Sequence, residues 1–284
     1  MTACAAGCVA FVCIALATPA AQTPFASRVE AVRVDALVTE HGRPIIGLGP
    51  GDFEILDNGV PQQVDLVSFE QVPLNLVLTL DMSDSVAGER LDHLRDASRS
   101  ALATLEKGDQ SALVTFSHVV SVRAPLSGET SAVRQALDEA EGAGETALVD
   151  GVFTGMMIGE SDAGRALQVV FSDGLDTVSW LTPATVLDTA KRSDVVVYAV
   201  SVKTALKPEF LRDLTQFSGG RLYELEKTAD LASTFKTIVD EFRHRYLVSY
   251  TPRGVAKDGW HRLDVRVKRR GAEVKARPGY LAGS

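Results

Sequence analysis

The chain has 284 residues, 45% of them apolar and 23% charged, with a formal net charge of −8. This balance excludes a disordered polypeptide and leaves enough apolar material for a sizeable core, in a chain longer than one average domain. The acidic total also argues against a nucleic-acid partner, because phosphate repels it.

The first 22 residues carry no charged side chain, and Val9 to Ala17 form an apolar run followed by Pro19, Ala20 and Ala21. We read residues 1–21 as a signal peptide cleaved near Ala20 or Ala21, although the leading Lys or Arg is missing. The run is shorter than the roughly 20 residues of a spanning helix, so a membrane location would require this segment to stay uncleaved. The expected location is therefore exported, periplasmic or extracellular. Cys4, Cys8 and Cys13 all lie inside this segment, which removes disulfides and thiolate chemistry from the mature chain. His41, His93, His118, His244 and His261 lack any paired spacing suited to zinc and read as surface or partly buried.

Residues 28–70 are strand-like. Val32, Val34, Ala36 and Val38 alternate with Arg33 and Asp35, and Phe53 and Ile55 flank Glu54. Asp57-Asn58-Gly59 predicts a hairpin, since Asn-Gly accepts the positive φ of a type I′ turn. After Pro73, Leu74 to Leu80 is mostly apolar, as in a strand buried on both faces of a parallel sheet. Leu91, Leu94, Ala97, Ala101, Leu102 and Leu105 then recur at three and four residues, predicting a helix that ends before Lys107-Gly108-Asp109. Strands are expected at Ala112 to Ser117 and Val119 to Arg123, with helices at Ser131 to Ala140 and Ala147 to Ile158. A strand at Gln168 to Ser172 precedes a helix capped by Thr182 and begun by Pro183. Strand Val195 to Val200, helix Pro208 to Phe217, strand Arg221 to Glu224 and helix Leu231 to Phe242 follow.

Residues 73–243 thus alternate strand and helix, predicting an α/β, doubly wound Rossmann-like domain with a mostly parallel sheet. Residues 244–281 return to strands at Tyr246 to Tyr250, Trp260 to Lys268 and Val274 to Arg277. Arg243 to Arg277 hold 11 Lys or Arg against 3 Asp or Glu, but from Leu263 to Lys268 charges alternate with apolar residues, as on the solvated face of a strand. Because the ends of a domain commonly lie together, these strands are expected to pair with residues 28–70 in a small β-sandwich interrupted by the α/β domain.

Asp81, Ser83 and Ser85, then Thr146, then Asp173 form a candidate metal site. Each is expected where a strand gives way to a loop. In a doubly wound sheet, the carboxyl ends of the strands converge on one crevice. Oxygen-only donors select Mg²⁺, Mn²⁺ or Ca²⁺ over softer metals, and five side chains leave room for water and an incoming ligand. Ser and Asp after strands are also ordinary turn formers and helix caps. Their order along the chain, strand, triplet, helix, Gly-x-Gly-x-Thr, then strand-Ser-Asp-Gly, favours the metal.

At these positions the chain resembles the von Willebrand factor type A domain and its metal-ion-dependent adhesion site. The resemblance rests on Asp81-Met82-Ser83-Asp84-Ser85, on Thr146 in Gly144-Glu145-Thr146-Ala147-Leu148-Val149-Asp150, and on Asp173 in Phe171-Ser172-Asp173-Gly174. The segment Gly51 to Gly59 and the terminal Arg277-Pro278-Gly279-Tyr280 resemble exported bacterial relatives of this domain described in acidobacteria. The resemblance implies metal-dependent binding of a protein ligand, whose Asp or Glu completes the ion's shell. Asp84 stands where the family usually has glycine; it is read as a solvated loop acid, although a carboxylate there would damp the ion or favour Ca²⁺. Asp150 and Asp176 are expected to cap a helix or support the ligand loops.

Two rival functions differ in kind. A phosphohydrolase using Asp81 as nucleophile would carry a second acid two residues later, where Ser83 stands. A metal-independent scaffold for an envelope or secreted complex would bind through the sandwich or the helix faces.

Overall fold

The computed structural model describes residues 31–69, 72–161, 164–173, 175–203 and 207–283. The segment read as a signal peptide, with its cysteines, lies outside them. The remaining chain builds strands β1 (Val32–Glu40), β2 (Arg43–Pro44), β3 (Phe53–Asp57), β4 (Val60–Gln62), β5 (Val64–Ser68), β6 (Leu74–Asp81), β7 (Gln110–Phe116), β8 (Val120–Ser127), β9 (Arg165–Phe171), β10 (Val196–Val202), β11 (Leu222–Leu225), β12 (Arg245–Tyr250), β13 (Gly259–Val267), β14 (Glu273–Lys275) and β15 (Gly279–Ala282). The helices are α1 (Glu89–Leu102), α2 (Thr130–Asp138), α3 (Leu148–Gly159), α4 (Pro183–Arg192), α5 (Glu209–Ser218) and α6 (Leu231–Arg243).

The apolar text of β6 and β9 has a direct consequence: every residue of both strands is buried, so each needs cover on two faces. Leu74, Leu76, Leu78 and Leu80 face one way, onto Leu91 and Leu94 of α1 and onto Phe235, Ile238 and Phe242 of α6. On the opposite side, Val170, Val197 and Ala199 pack against Val152 and Met156 of α3, Val186 of α4 and Leu211 of α5. The central sheet runs β11-β10-β9-β6-β7-β8. All neighbours are parallel except β8, which returns antiparallel along β7 with two register shifts. The sequence shortened β8 because Pro125 interrupts it; at a sheet edge the missing N–H costs no ladder bond.

This order makes β6 and β9 neighbours although they are distant in sequence, and the chain winds away from them in opposite directions. Loops leaving their carboxyl ends therefore part, opening the crevice where doubly wound folds bind ligands. Helix α3 is drawn close beneath that crevice. A Cβ at Gly155 would stand 2.2 Å from Gln168 Nε2 and 2.4 Å from Thr79 Oγ1, so only glycine permits the approach.

Strands from the two ends of the chain interleave in two antiparallel sheets. One has the order β14-β1-β12-β5 with β2 on β1, the other β15-β13-β3-β4. Val34 of β1 lies opposite Val248 of β12, and Ile55 of β3 opposite Val265 of β13. Their apolar faces enclose Val34, Val38, Phe53, Ile55, Tyr246 and Val248. The expected hairpin is present, with φ of 48° at Asn58 and 82° at Gly59. Two guanidinium groups tie the sandwich to the central sheet. Buried Arg165 donates to Asp35, with Nε at 3.0 Å, and fully buried Arg245 donates to Tyr198 Oη at 2.9 Å and to the Gly219 carbonyl at 2.7 Å.

His261 corrects the reading of the histidines as surface or partly buried. It is 1% exposed, and its Nδ1 lies 2.7 Å from Asp57 Oδ1. Asp57 also accepts from Tyr250 Oη and Tyr280 Oη, both at 2.9 Å. The hairpin delivers this carboxylate into the sandwich core, where donors from three later strands meet it. Nothing local in the sequence announces that. Among the described residues, no helix is long and apolar enough to cross a membrane.

Candidate functional site

Asp81 is the last residue of β6 and is fully buried. Its Oδ1 accepts the Ser83 N–H at 2.9 Å and its Oδ2 accepts the Ser172 hydroxyl at 2.7 Å. Burial pushes its pKa above the ordinary carboxylate value; the bonds from Ser83 and Ser172 oppose that rise, and the charge of Asp173 adds to it. Two carboxylates thus repel each other across the β6–β9 crevice.

The Ser83 N–H and two hydroxyls connect them. Ser83 Oγ lies 3.0 Å from Ser85 Oγ, and Ser85 Oγ donates to Asp173 Oδ1 at 2.7 Å. Since each hydroxyl has one proton, Ser83 must donate to Ser85 for Ser85 to donate onward. Asp81, Ser83, Ser85 and Asp173 are therefore one hydrogen-bonded chain spanning both loops. Asp173 exposes only 2% of its side chain, whereas Ser85 lies at the solvent edge.

Thr146 arrives differently. It lies in the loop between α2 and α3 and follows no strand, which corrects the expectation that every donor sits at a strand end. Its backbone is laced to both neighbouring loops. Ala143 N–H donates to the Met82 carbonyl at 2.8 Å, Gly144 N–H to Asp84 Oδ1 at 2.8 Å, and Ala147 N–H to the Ser117 carbonyl at 2.8 Å. On the far side the Thr146 N–H donates to Thr177 Oγ1 at 3.0 Å and its carbonyl accepts the Thr177 N–H at 2.9 Å. These bonds bring the largely buried Thr146 to the same end of the sheet as the other four.

Three acids near the donors act as braces. Asp84, read as a solvated loop acid, is exposed yet also fastens the Thr146 loop through Gly144. Asp176 accepts the Val149 N–H at the start of α3 at 3.1 Å. Asp150 accepts the Trp180 and Leu181 N–H groups, both at 2.9 Å, and so pins the loop after β9. That loop presents Trp180 with 95% of its surface in solvent.

Sequence reasoning missed Arg90. As the second residue of α1 it reaches back across the crevice, and its Nη1 donates to Asp173 Oδ2 and, at 3.2 Å, to the Ser85 carbonyl. The one available signal was its position, since a cation in the first turn of a helix opposes the helix dipole and calls for an anionic partner.

The donor set consists of two carboxylates and three hydroxyls. Among the described residues, no cluster of three or more His, Cys, Asp or Glu offers an alternative cage. Oxygen donors of this kind suit a hard divalent cation, and the mutual repulsion of Asp81 and Asp173 is what such an ion relieves.

Comparison with known proteins agrees with the architecture. The von Willebrand factor type A domain model matches residues 75–237. A UPF0353 protein of Mycobacterium avium is 25% identical over 241 residues, 72% of this chain and 70% of the relative. Among solved structures, the von Willebrand factor type A protein from Catenulispora acidiphila superposes with a TM-score of 0.56 at 13% identity, over 91% of this chain and 74% of that one. Proximal thread matrix protein 1 from the mussel byssus, in a form with a zinc-occupied metal-ion-dependent adhesion site, gives 0.55 at 15% identity over 66% of this chain. The match spans about half, 49%, of the mussel protein's length. With the family model covering most of the chain and a doubly wound sheet beneath it, the chain belongs to the von Willebrand factor type A domain family.

Proposed function

We propose that this protein is a metal-ion-dependent protein-binding or adhesion module. Asp81, Ser83, Ser85, Thr146 and Asp173 hold one divalent cation, Mg²⁺ or in its place Mn²⁺ or Ca²⁺. A protein ligand completes the shell with an Asp or Glu. The observation that carries this reading is the hydrogen-bonded chain from Asp81 through Ser83 and Ser85 to Asp173, which joins donors of two distant loops across one crevice. The zinc-bearing site named for the mussel protein supports it by analogy of fold.

In this reading the chain's own residues do three things. Asp81 and Asp173 supply negative charge, the hydroxyls supply neutral oxygens, and the Asp84, Asp150 and Asp176 bonds hold the loops still. When bound, the cation contributes an electrophilic centre for an incoming carboxylate. The ligand binds outside the cell or in its envelope, in line with residues 1–21 as an export signal. No catalytic role is assigned, since Ser83 occupies the place of a general acid.

The test is thermal unfolding with millimolar Mg²⁺ or Mn²⁺ and with EDTA, on the wild type and Asp173→Ala. Stabilisation by metal in the wild type and none in the variant is expected. An unchanged melting curve sinks the metal site, and partner capture that ignores EDTA favours the metal-independent scaffold.

A further inference from the structure

Arg90 occupies a place that ordinary helix energetics disfavour. It stands in the first turn of the fourteen-residue α1, where the dipole repels a cation. Its head group is aimed into the crevice and touches Asp173 Oδ2 and the Ser85 carbonyl. The two partners are unequal: the side chain of Asp173 is 2% exposed and that of Arg90 is 47% exposed. A carboxylate so far from water needs a counter-charge, and the guanidinium supplies one while keeping freedom to swing outward. Asp173's other oxygen already accepts from Ser85, so a guanidinium on Oδ2 leaves this carboxylate without an unclaimed oxygen.

We infer that Arg90 is an internal competitor of the divalent cation at Asp173, one that releases the carboxylate when an acidic ligand side chain draws the guanidinium away. The inference rests on the cation site proposed above. Two cations sharing one carboxylate repel each other, so the ion is held weakly while Arg90 is seated. An incoming carboxylate lies between ion and guanidinium and is attracted by both, with the planar fork of Arg90 suited to its second oxygen. Metal and acidic ligand then strengthen each other's binding, by reciprocal linkage. Arg90 is a specificity-determining residue in this scheme, favouring ligands whose acid can meet the ion and the guanidinium together.

The experiment is calorimetric titration of the protein with MnCl₂, alone and with glutarate as probe acid, for the wild type, Arg90→Gln and Arg90→Lys. Arg90→Gln should bind Mn²⁺ at least about tenfold more tightly than the wild type in the absence of acid, because a like charge beside the ion is gone. Arg90→Lys keeps the charge and should stay close to the wild type. Glutarate should tighten Mn²⁺ binding in the wild type and much less in Arg90→Gln. The apo form of Arg90→Gln should melt below the apo wild type, with a larger shift on adding Mn²⁺. Equal or weaker Mn²⁺ binding by Arg90→Gln, with a wild type that does bind, overturns the competitor while leaving the cation site intact. Absence of Mn²⁺ binding in all three proteins instead overturns the site itself, and the competitor with it.

Discussion

Asp81→Asn separates the chemistry of the site from its architecture. Asp81 Oδ1 accepts a backbone N–H at 2.9 Å, and its Oδ2, the oxygen to be replaced, accepts a serine hydroxyl at 2.7 Å. Asparagine can keep its oxygen toward the Ser83 N–H and turn its amide nitrogen to the Ser172 oxygen, which accepts as readily as it donates. Both contacts survive. What disappears is a buried charge whose pKa is raised by desolvation and by Asp173. A carboxyl whose folded pKa lies above its unfolded value costs nothing at low pH and opposes folding fully above the folded pKa. The metal-free variant should therefore be as stable as the wild type at neutral pH, or more stable by up to about 1 kcal/mol. The cation loses one of its two anionic ligands. At a concentration about ten times Kd, the wild type gains about 1.4 kcal/mol from metal by mass action. For a chain of this size that gain is a rise in Tm of about 2–3 °C, and the variant should show none of it. Urea denaturation gives the first quantity and thermal melting with and without Mg²⁺ the second. A metal-free variant weakened by more than about 2 kcal/mol would mean that Asp81 is architectural, because that is the size of a broken buried hydrogen bond.

Three further outcomes follow from other parts of the molecule. Asp57→Ala strands the Tyr250 and Tyr280 hydroxyls and the His261 ring in the sandwich core, so urea unfolding should show a loss of about 3 kcal/mol or more; a loss below 1 kcal/mol would contradict the geometry. Lys275 has its pKa lowered to about 8, first by burial and then by Arg221 and Arg245. Its protonated form is thus penalised in the folded state, and stability should rise with pH between about 8 and 10.5. Lys275→Met should gain about 1–2 kcal/mol at pH 7, a gain that shrinks by pH 10; a pH-independent difference would refute the cause. At Gly220 a Cβ would lie 1.8 Å from the Val197 carbonyl oxygen. Gly220→Ala should accordingly cost more than about 3 kcal/mol, read by loss of soluble folded protein or a collapsed Tm.

Periodicity made the α/β domain legible. Leu74 to Leu80 and the heptad-like run from Leu91 declared their partners because burial on a sheet or a helix face imposes a repeat on the residues themselves. The Asp-x-Ser-x-Ser loop was legible for a related reason: alternate residues of one loop share a side. Thr146 was misread in location, since its loop follows a helix and reaches the crevice through bonds to Met82, Asp84 and Ser117. The partner of Arg90, the burial of His261 and the exposure of Trp180 were not legible. Each depends on which distant segment lies opposite, and no local pattern encodes that. The pairing of the chain ends was inferable as a class of strands, but short β15 escaped and β8 was read too short, because Gly279 and Pro125 weaken the strand signal.

The interleaved sandwich bears on how this polypeptide comes into being. The Leu48 N–H meets Tyr246 Oη at 3.2 Å across 198 residues, and Arg253 N–H meets Gln62 across 191. An emerging nascent chain can complete the central sheet while β1 and β3 still wait for β12 and β13, which follow α6. Closure of so long a loop is entropically cheaper than its length suggests, because the penalty grows only with the logarithm of the span and a prefolded centre shortens the effective gap. The strands that follow α6 are thus the clasp. Proteolytic clipping behind α6 would leave the earlier strands with naked edges, an invitation to pair with other molecules.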